Sequence, residues 1–210
     1  MTNYSSSSSP ARSAFAERLA YPQNALVRRL ARSPIFFWRL GYGPVLGRIF
    51  LILTHIGRRS GKVRRTALEY HTVDGRIYVF NAWPRSDWIH NILAEPRVTV
   101  QTAHESMSAL ARPLTTQHDY LEAYALVERS LIVRGALKAM GIDTSLEGFL
   151  AAKDQMQIVT FDPTDLPAPP PLRADLRWLS PVVAAALGLG FIAGKLARKK
   201  KKGFWQRLSG

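Results

Sequence analysis

Between Ile49 and Phe161 the chain is cut into short apolar runs by closely spaced turn signals, which leaves little room for anything but antiparallel strands. The sharpest signal is Asp74-Gly75, a two-residue pair suited to a tight hairpin. It joins an expected strand at Arg65–Thr72 to another at Arg76–Ala82, where Ile77, Val79 and Phe80 are the apolar residues. Ile49–Thr54 suits a buried strand, Val98–Gln101 and Ser106–Arg112 a second hairpin, and Met156–Phe161 a last strand. Asp87–Ala94 is expected to be a short helix with Asp87 near its N-cap, stopped before Pro96. Thr116 to about Met140 is expected to be one helix, acidic early (Asp119, Glu122) and basic late (Arg134, Lys138). No GxGxxG follows a strand, so a Rossmann domain is not expected. The pattern predicts a mainly β, α+β domain over 46–161, a compact antiparallel barrel with flanking helices.

The flanks differ in character. Residues 1–10 are serine-rich, expected to be disordered, and lack the basic and apolar regions of a signal peptide. Residues 11–45 alternate apolar side chains (Phe15, Leu19, Leu26, Leu30, Phe37, Leu40) with arginines, broken at Pro22 and Pro34. This is the pattern of an interfacial amphipathic helix, or of a helix packed on the barrel with its arginines in water. Residues 162–172 form a Pro-rich linker. Residues 173–210 carry an uncharged run, Trp178–Gly194, followed by Lys195, Arg198 and Lys199–Lys202. We expect a C-terminal apolar helix from Leu176 that anchors the barrel to a membrane, either spanning it or lying on it.

Charge supports that expectation. The formal net charge is +14, but 1–54 hold 7 Lys/Arg against 1 Asp/Glu and 161–210 hold 9 against 3, while 55–160 are near balance at 13 against 11. Basic excess on apolar ends favours membrane lipids over nucleic acid, and the arginine-rich barrel, with no signal peptide, is expected on the cytoplasmic side. There is no cysteine, which removes disulfides, thiolate nucleophiles and iron–sulfur clusters. His55, His71, His90, His104 and His118 show no HxxxH spacing and no GxSxG elbow occurs, so neither a metal site nor a hydrolase is expected.

The chemistry concentrates between Leu53 and Gln101. Leu53-Thr54-His55-Ile56-Gly57-Arg58-Arg59-Ser60-Gly61-Lys62-Val63-Arg64-Arg65-Thr66 places five basic side chains around a glycine-bracketed loop. Guanidinium groups suit bidentate contact with phosphate or carboxylate, and loop amides add an anion-binding nest. An anionic ligand is therefore expected, a merely solvated basic loop being the alternative. Val79-Phe80-Asn81-Ala82-Trp83-Pro84-Arg85-Ser86-Asp87-Trp88-Ile89-His90-Asn91-Ile92 then clusters aromatic and polar residues at a strand end and a helix start. Such a cluster suits a planar, partly polar ring, although Trp88 alone could equally be a core plug.

Leu-Thr-x-x-Gly-Arg-Arg-Ser-Gly-x-x-Arg, then Ser-Asp-Trp-x-x-Asn-Ile, then Pro-x-Val-x-Val resembles the deazaflavin-dependent nitroreductase family, over about Leu46 to Phe161. The resemblance implies a split β-barrel that binds coenzyme F420, a deazaflavin with a phosphate and a glutamate tail, and transfers hydride to a quinone or nitro compound. It implies that Arg59 and Arg64, with Ser60 in the same loop, hold the phosphate, and that Arg58 and Lys62 lie near the acidic tail. Asn81, Ala82 and Trp83 would lie along the ring, with Asp87, Trp88 and Asn91 shaping the pocket. Some relatives carry a small, lysine-containing turn where this chain has Trp83-Pro84-Arg85; Arg85 is expected to supply the charge and Trp83 to narrow the ring site. His90, Tyr70 and Tyr78 are the candidate proton donors. FMN or haem are the alternative cofactors. The alternative functions are a non-catalytic membrane-associated barrel that binds a lipid or haem, and a structural membrane subunit. No oligomeric state follows from the sequence.

Overall fold

The computed structural model describes residues 33–81 and 86–185. Seven strands, β1 Phe50–Ile56, β2 Val63–Glu69, β3 His71–Val73, β4 Arg76–Asn81, β5 Arg97–Gln101, β6 Ser106–Pro113 and β7 Gln157–Pro163, form one antiparallel sheet. Their order is β2-β1-β5-β6-β7-β4-β3. β2 and β3 stand at opposite edges of that order, yet only Tyr70 separates them in sequence. Two edges one residue apart along the chain must lie close in space, so the sheet curls into a barrel left open beside β2. The single strand expected over Arg65–Thr72 is thus two strands that cross the opening at Tyr70. The β3–β4 turn is the expected Asp74-Gly75 pair, with φ of 50° and 77°, as a two-residue primed turn requires.

Three apolar clusters hold the barrel. Alternate residues of β1, β4, β5, β6 and β7 (Leu51, Leu53, Val79, Val100, Phe161 among them) fill its interior, and the helix α1, Asp87–Ala94, closes one end with Trp88, Ile89 and Ile92. A second cluster lies outside β4 and β7, under helices α2 Gln117–Ala123, α3 Ala125–Arg129, α4 Leu131–Ala139 and α5 Leu146–Ala151. Here the expected single helix over Thr116–Met140 is corrected to three. Tyr124 only joins α2 to α3, but Ser130 adopts an extended conformation (φ −118°, ψ 111°) and its hydroxyl accepts from Val133 N–H, which ends one helix and caps the next. α5 has no counterpart in the expected pattern.

The third cluster covers the outer face of β1 with Trp38, Ile52 and Leu172. Residues beyond β7 are extended, as their prolines dictate, and they are strapped to the barrel. Gln101 Nε2 donates to Leu172 O at 3.2 Å, Leu172 N–H donates to Gln101 Oε1 at 2.6 Å, and Thr99 Oγ1 donates to Pro169 O. Beyond this strap, Leu176 N–H donates to Arg39 O at 2.9 Å and Arg39 pairs with both oxygens of Asp175. The two flanks of the barrel therefore meet. Arg39 lies in a π-helical turn, Trp38–Tyr42, and Arg177–Leu179 is a short 3-10 turn continued by helical residues 180–185. Among the described residues no helix is long and apolar enough to cross a membrane, so the expected C-terminal apolar helix is not supported as a span. Most of its length, 186–210, and most of the expected N-terminal helix, 11–32, lie outside the described residues.

Candidate functional site

An open groove of roughly 1950 Å³ runs along edge strand β2. Its walls include Arg64, Thr66 and Leu68 from one face of β2 and Val63, Arg65 and Ala67 from the other, because alternate strand residues point to opposite sides. The arginine loop and the start of α1 form one end of it.

The loop is built on Gly57. Its N–H donates to Lys62 O at 2.9 Å, and its carbonyl accepts from Ser60 N–H at 3.1 Å and Gly61 N–H at 2.8 Å. A Cβ at Gly57 would stand 2.9 Å from Ser60 Oγ, so a side chain there would turn the serine hydroxyl aside. Gly61 closes the turn at φ +62°, a conformation costly for other residues.

Arg58 is tied to α1. Its backbone N–H and its guanidinium both donate to Asn91 Oδ1 at 3.0 Å, and the guanidinium also reaches Asp87 Oδ1 at 2.9 Å. This side chain pins the loop to α1. Behind it, Asn91 Nδ2 lies 3.3 Å from His55 Nδ1, and His55 Nε2 lies 3.3 Å from Thr66 Oγ1. The two Arg58 donors fix Asn91 Oδ1, so Nδ2 is left to donate to His55 Nδ1, and the ring proton resides on Nε2. Burial lowers the His55 pKa to about 4, outweighing a hydrogen bond with the Ile56 backbone that raises it, and the Arg64 charge adds to the lowering, so the imidazole is neutral near pH 7.

Arg59, Lys62 and Arg64 are exposed and make no ion pair among the described residues. Arg58, Arg59, Ser60, Arg64, Asn81, Asp87, Trp88 and Asn91 all border the groove, while Lys62 contributes its carbonyl to the loop and stands just beyond the rim. Asn81 Nδ2 donates to Gln157 Oε1 at 2.6 Å. Trp88 is both things at once, packed in the barrel core and bordering the groove. Ala82, Trp83 and Arg85 lie outside the described residues.

None of the three candidate proton donors borders the groove among the described residues. His90 is exposed on α1, Tyr70 donates its hydroxyl to Gly47 O at 2.7 Å, and Tyr78 is buried under the helical layer. Sequence reasoning assigned no role to His55 or Thr66. The signal for His55 was a histidine on the barrel-facing side of a buried strand, opposite Arg64 in the β1–β2 register.

The model of the F420H(2)-dependent quinone reductase family matches residues 41–147, just over half the chain and all of the arginine loop. The chain belongs to this family. It is an oxidoreductase, and its coenzyme is F420. The cation set fits that coenzyme, since Arg59 and Arg64 border the groove without an ion pair among the described residues and Lys62 is exposed in the same loop. Among solved structures, a chain described as a domain-swapped dimer is 17% identical, with a TM-score of 0.43, over 66% of this chain and 100% of that one. An F420-H2 dependent reductase (FDR-A) is 18% identical with a TM-score of 0.35, over 55% of this chain and 95% of that one. HutZ, a haem storage protein from Vibrio cholerae, is 11% identical with a TM-score of 0.39, over 63% and 90%. No curated relative matches the sequence.

Proposed function

We propose that this reductase passes hydride from reduced F420 to a quinone at a membrane surface. The observation that carries the reading is the division of labour in the basic loop: Arg58 is spent on Asp87 and Asn91, which leaves Arg59 and Arg64 bordering the groove and Lys62 exposed in the same loop. A rim of planar guanidinium groups on a glycine turn suits phosphate and carboxylate. Arg59 and Arg64, with Ser60, would hold the phosphate, and Lys62 would meet the glutamate tail. Arg58 orients the loop and leaves the tail to its neighbours. Phe80, Asn81 and Trp88 border the groove on its barrel side and would flank the ring, with Ala82, Trp83 and Arg85 following Asn81 in the chain.

When bound, the reduced coenzyme supplies a hydride, and a quinone that takes it together with a proton leaves as quinol. The chain's part is to hold ring and acceptor in contact and to keep the acidic tail at the rim, so that positioning supplies most of the acceleration. Lining by Ile35, Phe37, Phe50, Leu68 and Leu172 gives the acceptor an apolar approach along β2.

The membrane part of the reading is supported by the meeting of the flanks. Phe36, Val45 and Ile49 on one flank and Trp178 and Val182 on the other are exposed, and Trp178 is 72% so. Both flanks belong to segments with strong basic excess. An apolar, cationic face beside the groove would present it to a bilayer in which quinones dissolve.

Anaerobic turnover of reduced F420 with a soluble quinone, and with a nitroaromatic, tests the acceptor class. Quinone reduction at the higher kcat/KM supports the proposal. Preferential nitro reduction, or no coenzyme oxidation with either, overturns it.

A further inference from the structure

We propose that His55 is a positioning residue that holds the arginine loop in its coenzyme-binding form by fixing the side-chain amide of Asn91, an inference that rests on the coenzyme reading above. His55 is buried on the barrel-facing side of β1, at the inner wall of the groove, with its ring nitrogens turned to Asn91 and Thr66. Its link to the loop runs through Asn91 Nδ2, 3.3 Å from His55 Nδ1. Asn91 in turn anchors the first residue of the loop twice, through Arg58 N–H and the Arg58 guanidinium.

The chemistry of the amide makes this arrangement directional. One end of a carboxamide accepts and the other donates. With an acceptor at His55 Nδ1, the amide turns its NH2 toward the ring and its oxygen toward Arg58. Without that acceptor, Arg58 still holds the oxygen but the Asn91 NH2 is left buried without its partner, which weakens the anchor that holds the loop. A neutral ring with its proton on Nε2, shared with Thr66 Oγ1, satisfies both neighbours; a doubly protonated ring would set Nδ1–H against Asn91 Nδ2–H. Burial and the Arg64 charge keep the ring in the neutral form. His55 also faces Arg64 across the β1–β2 register, so one residue adjoins both the loop anchor and the far phosphate-binding arginine.

The test compares His55→Leu, which keeps bulk and removes both polar contacts, with His55→Gln, whose carbonyl and NH2 can replace both. F420 binding is followed directly by titration, alongside steady-state turnover. The expected result is at least tenfold weaker binding for His55→Leu, with KM for the coenzyme raised and kcat at saturation within twofold of wild type, and recovery to within about threefold for His55→Gln. A folded His55→Leu that binds as wild type does, or a folded His55→Gln no better than His55→Leu, overturns the proposal. Wild-type protein that fails to bind F420 overturns the coenzyme reading itself, a separable outcome.

A second readout needs no coenzyme and no folded Leu variant. Nitrogen NMR of the His55 ring should show the Nε2–H tautomer in wild type, and in Asn91→Asp, where a carboxylate faces Nδ1, a ring protonated at both nitrogens near pH 7. An Nδ1–H tautomer in wild type, or an unchanged ring in Asn91→Asp, overturns the assigned contact.

Discussion

Arg58 meets Asn91 twice on one atom: its backbone N–H and its guanidinium both donate to Asn91 Oδ1 at 3.0 Å. A loop anchored through both main chain and side chain has little freedom to swing, although most of its cations are exposed. Asn91→Leu should leave the Arg58 N–H without its partner in a part-buried position. The expected cost is about 1–3 kcal/mol of stability, measured by urea unfolding, together with weaker F420 binding. Full stability and full affinity in Asn91→Leu would mean that the anchor is incidental.

Arg59 and Arg64 stand in contrast, since they make no ion pair among the described residues and have nothing structural to lose. Each charge-assisted contact to a ligand contributes on the order of 1.5–3 kcal/mol. The double variant Arg59→Ala, Arg64→Ala should therefore bind F420 at least a hundredfold more weakly and melt where wild type melts. Retained affinity would move the phosphate elsewhere in the groove.

Much of this was legible beforehand because it depended on local chemistry. Asp74-Gly75 specifies its turn by itself, and α1 begins at Asp87 and ends at Ala94, short of Pro96, as expected. The exposed, glycine-turned arginine loop was likewise readable from residue types alone. What depended on distant partners was not legible. Nothing near Arg58 says that Asn91, 33 residues away, takes up its donors, and nothing near Leu172 says that Gln101 bonds it at both N–H and O. Ser130 is a weak breaker by composition, yet it divides the long helical segment once the core selects which turns of it to bury.

That strap gives a sharp comparison. Leu172 is buried against Trp38 and Ile52, whereas the nearby Arg39–Asp175 pair is exposed. Leu172→Ala should cost about 2–3 kcal/mol, the lower part of the range for a buried leucine because the groove beside it can take up water. Asp175→Ala should leave the unfolding midpoint almost unmoved, since exposed ion pairs contribute little. Equal effects in thermal melts would mean that the strap is held by charge and not by packing.

His55 also gives stability a pH dependence with a definite sign. Its pKa is about 4 in the folded chain against an ordinary 6.5, so the unfolded chain binds the extra proton first. The contribution is complete above pH 6.5, falls as pH drops from 6.5 to 4, and is flat below that, amounting to roughly 3 kcal/mol. Urea midpoints between pH 7.5 and 4 should decline less steeply in His55→Gln than in wild type. Parallel declines would assign the acid sensitivity to carboxylates elsewhere.

The last prediction concerns the flanks and where to cut them. Removing everything from Leu172 onward would strip away Leu172, Asp175 and the Leu176 N–H bond to Arg39, and so would confuse loss of membrane contact with damage to the barrel. A cut after Ala185 keeps all three and removes Lys195, Arg198 and Lys199–Lys202. If the converging flanks form one lipid-facing surface, full-length protein should float with vesicles containing anionic lipid and less with purely zwitterionic ones, because each Lys or Arg near an anionic surface adds about 1 kcal/mol. The 1–185 chain should bind such vesicles more weakly and release at lower salt, yet keep its thermal midpoint and F420 affinity. Trp178→Ser in the full-length chain should weaken binding to both vesicle types, as the apolar part of the surface is common to them. Binding indifferent to lipid charge, or a 1–185 chain as strongly bound as the whole, would remove the basic tail from the membrane contact.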